Sequence, residues 1–296
     1  MIEEFLAQQK LAGKSELTIR QYRSSLARFA SWWQEQTPYQ GGTGGGDGLG
    51  QATEIDVANF KKWASRNLKP NTVRQTLTHL KAYFDYLVNF GIIPDNPVQH
   101  VKSVTTAKMT PKWLTRNEQN ALIRAVRRYG DLRDLAMITV LLHAGLRVQE
   151  LCDLRLQDVI IGERKGLAKV LGKHNRYREV PLNKDIREIL SLYLQQRKCD
   201  SEYLFPNNRE GQMTTRNVQH IIAEYRRLTG IDHLTAHALR HSFCHELVTR
   251  KVPLDVVARL AGHIKNDGTS NIAMTLVYTQ PGEEDLQRAV EELSWR

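Results

Sequence analysis

Cysteine is scarce in this chain. The three present, Cys152, Cys199 and Cys244, are an odd number spread far apart, with no Cys-x-x-Cys pair. That excludes a disulfide framework and a zinc ribbon, and it fits a reducing cytosol. Long apolar runs are wanting too: the longest, Leu135 to Leu142 with Thr139 inside it, covers eight residues. A spanning helix needs about 20, so no membrane span is expected. The first thirty residues mix Glu3, Glu4, Lys10, Lys14 and Arg20 with their hydrophobes, so no signal peptide is expected either. No Gly-x-x-x-x-Gly-Lys-[Ser/Thr] occurs, which leaves no ATP-binding loop to draw.

What the sequence does hold is apolar content and positive charge. With 296 residues, 41% hydrophobic, it has material for one large domain or two ordinary ones, and disorder is excluded for most of it. Forty-two Lys and Arg against 32 Asp and Glu leave a formal charge of +10. Surface cations gain affinity by displacing condensed counterions, so nucleic acid is the first partner class to consider. Divided at residue 112, the first part carries 14 basic and 9 acidic residues and the second 28 and 23, so the charge belongs to both halves rather than to a tail.

The first 36 residues read as two helices: Ile2, Phe5 and Leu6, then Ser15 as a cap before Leu17, Ile19, Tyr22, Leu26, Phe29 and Trp33. Residues 41 to 50 hold seven glycines in ten positions, which predicts a loop. Helix resumes after a cap at Thr53 and again from Pro70, stopping at Gly91. Residues 1–98 thus form a small all-α domain. Residues 99–113, with Lys102, Lys108 and Lys112 and no sustained period, predict an extended linker. The domain at 114–296 opens on a capping box, Thr115 with Glu118, and an apolar helix from Asp134 to His143 follows. Residues 167–172 and 178–182 read as two short strands joined by a polar turn. Helices are expected at 184–198, 214–229, 236–250, 254–261, 270–279 and 283–294. The fold class is mainly α with a small β-sheet.

The chemistry-bearing residues cluster in this second domain. In AGLRVQEL, Arg147 stands just past a helix end with Glu150 three residues on, so a carboxylate can steady a guanidinium fork turned to a phosphate. A plain surface pair would look the same. In HALRH, His237, Arg240 and His241 share one helix face, and His245 extends the stripe by a turn. A helical metal site would want a glutamate between its histidines, as in His-Glu-x-x-His, and none stands there. The plainer reading of His241 and His245 is helix packing. Further on, LAGH ends a helix and exposes His263, and Tyr278 sits in an apolar-flanked run. A helix cap and a core tyrosine are the bland alternatives.

Taken in order, Arg-x-x-Glu, a Gly-Lys in a hairpin, His-x-x-Arg-His, Gly-His and a tyrosine make a pattern that single motifs do not. The chain resembles the tyrosine recombinases of the phage integrase family, in particular their short Xer-like members, over nearly its whole length. The resemblance implies an N-terminal helical, SAM-like core-binding domain and a catalytic domain. Carried onto this sequence, Arg147 and Arg240 are the catalytic arginines, Glu150 orients the first, Lys173 in LGKHNRYREVPL is the hairpin lysine, His237 and His263 fill the histidine positions, and Tyr278 is the nucleophile. The family has eight residues between its Gly-His histidine and the tyrosine, whereas fourteen intervene here, so roughly Ile264 to Thr269 reads as an insertion.

Those residues suit the chemistry. A phosphodiester repels nucleophiles, and its transition state gathers charge on the non-bridging oxygens. Arg147 and Arg240 with His237 and His263 answer that need without a metal or cofactor. Tyr278, ordinarily near pKa ~10, needs a base, for which His237 is the candidate, and Lys173 is placed to protonate the leaving 5′-hydroxyl. The resemblance further implies a 3′-phosphotyrosine intermediate, a Holliday junction, and a homotetramer on two double-stranded DNA sites that exchanges its C-terminal helix (Leu286, Val290, Leu293). It implies accessory DNA-bending proteins or a partner recombinase as possible company, and a cytoplasmic, nucleoid-associated setting. Resolution, integration or excision of a replicon or mobile element all use this chemistry. Arg20, Arg23, Arg28, Lys69 and Arg74 are expected phosphate contacts. Two other readings stand beside this one: a catalytically silent, sequence-specific DNA-binding protein of the same fold, and a basic helical transcription regulator.

Overall fold

The computed structural model describes residues 1–36, 49–105, 112–172, 177–265, 267–279, 286–287 and 290–293. The chain divides into two compact units, Met1–Lys108 and Met109–Arg296.

The first unit is built on α1 (Ile2–Leu11), α2 (Glu16–Gln36), α3 (Glu54–Asn67) and α4 (Pro70–Asn89). Its helix starts follow the capping chemistry of the sequence. The Ser15 hydroxyl accepts from Thr18 N–H, and Thr53 and Asp56 cap α3 reciprocally. Pro70 begins α4, where its absent N–H costs no bond. Apolar positions at helical spacing turn inward as one cluster of Phe5, Leu26, Phe29, Phe60, Leu80, Tyr83 and Phe84. Phe29 meets Phe60 edge to face at 5.0 Å, a favoured aromatic geometry. Burying seven such side chains at about 1.5–3 kcal/mol each is the main force holding the four helices together. The segment expected as linker begins on this unit: Val98 is buried and Val101 and Val104 pack partly against the same core. Valines at a spacing of three give it one apolar side to lay down.

The second unit carries α5 (Arg116–Tyr129), α6 (Leu132–Ala144), α7 (Val148–Asp153), β1 (Val159–Ile161), β2 (Gly166–Leu171), β3 (Tyr177–Pro181), α8 (Lys184–Gln196), α9 (Thr215–Thr229), α10 (Ala236–Thr249), α11 (Leu254–Ala261) and α12 (Ile272–Thr275), the last running into a 3-10 turn at Leu276–Thr279. The Thr115–Glu118 capping box is formed. α6 is apolar around its whole girth and forms the centre of the core, with Leu135 to Leu142 all buried. The sheet is antiparallel in the order β1-β2-β3, with Ala168 opposite Val180. Ala168, Val170 and Val180 turn to the core, as two-residue alternation requires. β1 was not expected from the sequence: three residues are too few to show a period. The expected helix at 270–279 is instead one short α-turn and a 3-10 turn. Of the C-terminal helix expected at 283–294, residues 283–285, 288, 289 and 294 lie outside the described residues.

Candidate active site

α6 ends at Gly145, whose φ is 61°. A Cβ at Gly145 would lie 2.2 Å from Cδ1 of Phe243, so backbone conformation and space both demand glycine. This turn delivers Arg147 to the start of α7. There its backbone N–H donates to Glu150 Oε2 (2.7 Å) and its Nη1 to Oε1 (2.8 Å). Glu150 is buried, and the same two oxygens accept from Nη1 and Nη2 of Arg178 on β3, at 2.8 and 2.9 Å. Burial pushes the Glu150 carboxyl up, but Arg178's hydrogen bonds and the charges of Arg178 and Arg147 outweigh it and hold it below the usual carboxylate range. It is therefore ionised.

The second wall comes from α10 and α11. Arg240, on α10, is 2% exposed and donates from Nη1 to the Gly145 carbonyl at 2.6 Å and from Nη2 to the Ala261 carbonyl. α11 stops at Gly262 with φ 67°. Its last carbonyls are shared out: Leu260 accepts from Arg178 Nε (3.3 Å), Ala261 from Arg240, and Gly262 from Arg147 Nη2 (2.9 Å). Three guanidiniums thus meet one helix C-terminus, whose dipole favours cations. Burial and the charge of Arg147 lower Arg240 to about 10, which leaves it charged at neutral pH. Among the described residues these bonds engage two side-chain N–H groups of Arg147 and two of Arg240, out of five on each. The Arg147 side chain keeps 34% of its surface exposed, so it can also face an anion.

Tyr278 stands on the 3-10 turn, 4% exposed, packed against Cys244, Val257 and Ala261. Its hydroxyl lies 2.9 Å from Nδ1 of His241, and its ring is nearly parallel to that of His263 at 6.0 Å. His263 is buried, with Nδ1 3.0 Å from the Thr275 hydroxyl. Burial and the neighbouring Cys244 thiol push the Tyr278 phenol up, against the pull of Arg240. Burial, the neighbouring His237 ring and the charge of Arg240 lower His241 to about 4, and burial with the charges of Arg240 and Arg147 lowers His263 to about 3. Both rings are neutral at pH 7, so each offers one acceptor nitrogen and one N–H.

The stripe on α10 is divided by partner. The protein around His237 and the charges of Arg240 and Arg147 depress that ring, and it meets His241 edge-on at 4.3 Å. His241 meets Tyr278, and His245 stacks on Trp113 at 3.9 Å. The histidine at the phenol is therefore His241, not the expected His237. One turn of α10 carries position 241 past 237 on the same face, and its ring stands in contact with both. His241 reads in the sequence as helix packing, and only its adjacency to HALR would have flagged it.

The described residues of the segment expected as an insertion fold back toward His263. Ile264 pairs with Ser270, and the Lys265 N–H donates to the Thr269 carbonyl at 2.8 Å. Asn271 N–H then returns to the His263 carbonyl at 2.6 Å. The chain thus re-enters beside the histidine it left.

Comparison with known proteins gives the family and the fold. The profile described as "Phage integrase family" covers residues 112–284, more than half the chain, and "Phage integrase, N-terminal SAM-like domain" covers residues 1–91. The chain belongs to the phage integrase family. It is 32% identical to Tyrosine recombinase XerA of Thermococcus kodakarensis, over 99% of this chain and 94% of the relative. It is 31% identical to Tyrosine recombinase XerD of Pseudomonas putida, over 97% and 95%. In fold it is similar to the XerH site-specific recombinase bound to palindromic difH substrate in a post-cleavage complex, with a TM-score of 0.75 at 19% identity, covering 96% of this chain and 81% of that one. A lambda integrase tetramer bound to a Holliday junction matches with a TM-score of 0.70 at 18% identity, over 90% and 76%.

Within this phage integrase chain, the structure brings together Arg147, Glu150, Arg240, His263 and Tyr278, with His237 at the edge. Lys173 lies outside the described residues. Among the expected DNA contacts, Arg20, Lys69 and Arg74 are exposed on α2 and at the start of α4. Arg23 is engaged by Glu3 through both Nη atoms at 2.6 and 2.8 Å, and Arg28 donates to the Thr76 hydroxyl at 3.1 Å. Arg178, absent from the sequence-derived set, turns out to be bound to Glu150. No helix among the described residues is long and apolar enough to cross a membrane.

Proposed function

We propose that this chain is a site-specific DNA recombinase that cleaves one strand with Tyr278, holds it as a 3′-phosphotyrosine and rejoins it to a new 5′-hydroxyl. The observation that carries this reading is a single cluster in which the Tyr278 hydroxyl touches His241 while Arg147 and Arg240 meet at the carbonyls of Ala261 and Gly262. Arg147 and Arg240 clamp the non-bridging oxygens of the scissile phosphate, with His237 and His263 as further donors. His241 takes the phenolic proton as the phenol oxygen forms its bond to phosphorus. The P–O5′ bond breaks, and the 5′-oxygen takes a proton from Lys173. Energy of the phosphodiester is kept in the phosphotyrosine, so the reverse attack needs no nucleotide cofactor.

The likenesses to XerH on difH and to the lambda integrase tetramer support double-stranded DNA as substrate and four protomers as the working unit. Leu286, Val290 and Leu293 are 54, 65 and 77% exposed, which suits a C-terminal helix given to a neighbour. The domain assignment, 1–98, 99–113 and 114–296, and a nucleoid setting in the cytoplasm belong to the same proposal.

The test is adduct capture on nicked genomic-library DNA, resolved on a denaturing gel. The native chain should leave a covalent adduct that Tyr278→Phe abolishes, and sequencing the trapped DNA gives the site. Salt-sensitive DNA retention with no adduct would favour the silent binder, and an adduct that survives the substitution would move the nucleophile elsewhere.

A further inference from the structure

Glu150 has more cation around it than an orienting carboxylate needs. Arg147 alone would satisfy it with two bonds and, in doing so, would be neutralised by it. Arg178 changes that balance. Its fork takes both carboxylate oxygens, its Nε reaches the Leu260 carbonyl, and its side chain is 9% exposed. It also lies flat against Gly262, where a Cβ would fall 2.8 Å from the guanidinium carbon. Arg178 is thus locked between α7, β3 and the end of α11. With Arg240 beside them, three guanidiniums and one carboxylate leave two net positive charges at the site.

We infer that Arg178 is a positioning residue of strand cleavage: by sharing Glu150 with Arg147 it keeps Arg147 positively charged in effect and its fork turned toward the phosphate. This rests on the reading of Arg147 as a phosphate clamp. Without Arg178, both oxygens of the buried carboxylate have only Arg147 to bind. Its fork is drawn onto Glu150 in a bidentate pair, away from the Gly262 carbonyl and from the substrate. A transition state that gathers negative charge then meets one net positive charge instead of two.

The experiment compares Arg178→Met and Arg178→Lys with the native chain on a suicide duplex carrying the trapped site. The scissile position is either a normal phosphodiester or a methylphosphonate, which lacks the non-bridging charge. Melting temperature and DNA affinity are recorded for each protein. Arg178→Met should slow adduct formation about a hundredfold on the phosphodiester, the scale of one lost oxyanion donor, and less than about tenfold on the methylphosphonate. Arg178→Lys, which keeps the charge without the fork, should fall between, and it carries the comparison where the Met variant does not fold. A packing role would slow both substrates alike, so equal losses on the two, or no loss on either, overturn the inference while leaving the nucleophile assignment standing. A native chain that forms no Tyr278 adduct on either substrate overturns both together.

Discussion

Gly145→Ala tests how the end of α6 sets the arginine geometry. Two costs are separable at this position. An L-residue at φ 61° carries a conformational penalty of about 1–2 kcal/mol. The added methyl would also stand 2.2 Å from Cδ1 and 2.7 Å from Cε1 of Phe243, and overpacking of that kind costs typically about 1–3 kcal/mol. The total expected loss is about 2–5 kcal/mol. Urea unfolding of the native chain, Gly145→Ala, Phe243→Ala and the double variant separates the terms. In the Phe243→Ala background the ring is gone, so Gly145→Ala should cost only the conformational part. Because the Gly145 carbonyl anchors Arg240, adduct formation should fall in Gly145→Ala and recover partly in the double variant. An identical loss of stability in both backgrounds would refute the steric half of the reasoning. A neutral Gly145→Ala would refute all of it.

Glu150→Gln replaces one acceptor oxygen by an amide that faces guanidinium N–H groups, so it should destabilise the second unit by about 3–5 kcal/mol and depress adduct formation, read by urea midpoint and denaturing gel. His263 is held neutral in the fold and titrates near 6.5 when unfolded. Its contribution is full above pH 6.5 and is lost as pH falls from there toward about 3. Between pH 7 and pH 5 the native chain should therefore lose about 2 kcal/mol more than His263→Gln, and equal pH slopes would count against the buried neutral ring. Arg74→Ala, on the exposed face of α4, should lower the slope of log affinity against log salt by about 1 while leaving site preference unchanged; an unchanged slope removes it from the phosphate contacts.

The sequence by itself determined the parts whose signals are local. Caps at Thr53 and Thr115, the Pro70 start, the apolar girth of α6 and the glycines after α6 and α11 each act within a few residues, so these helix starts and stops were legible. The order of Arg147, His237, Arg240, His263 and Tyr278 was legible through its resemblance to the family's pattern. Tertiary structure alone decided which of these touch. That His241 rather than His237 meets the phenol depends on how the 3-10 turn of Tyr278 lies against α10. That Arg178 joins Glu150 depends on β3 packing beside α7, 28 residues away. That the segment between His263 and Tyr278 returns through Asn271 to His263 depends on a hydrogen bond no local pattern encodes. Propensity and periodicity act between near neighbours, whereas the partner of a buried charge is chosen by whichever distant element the folded core brings within reach.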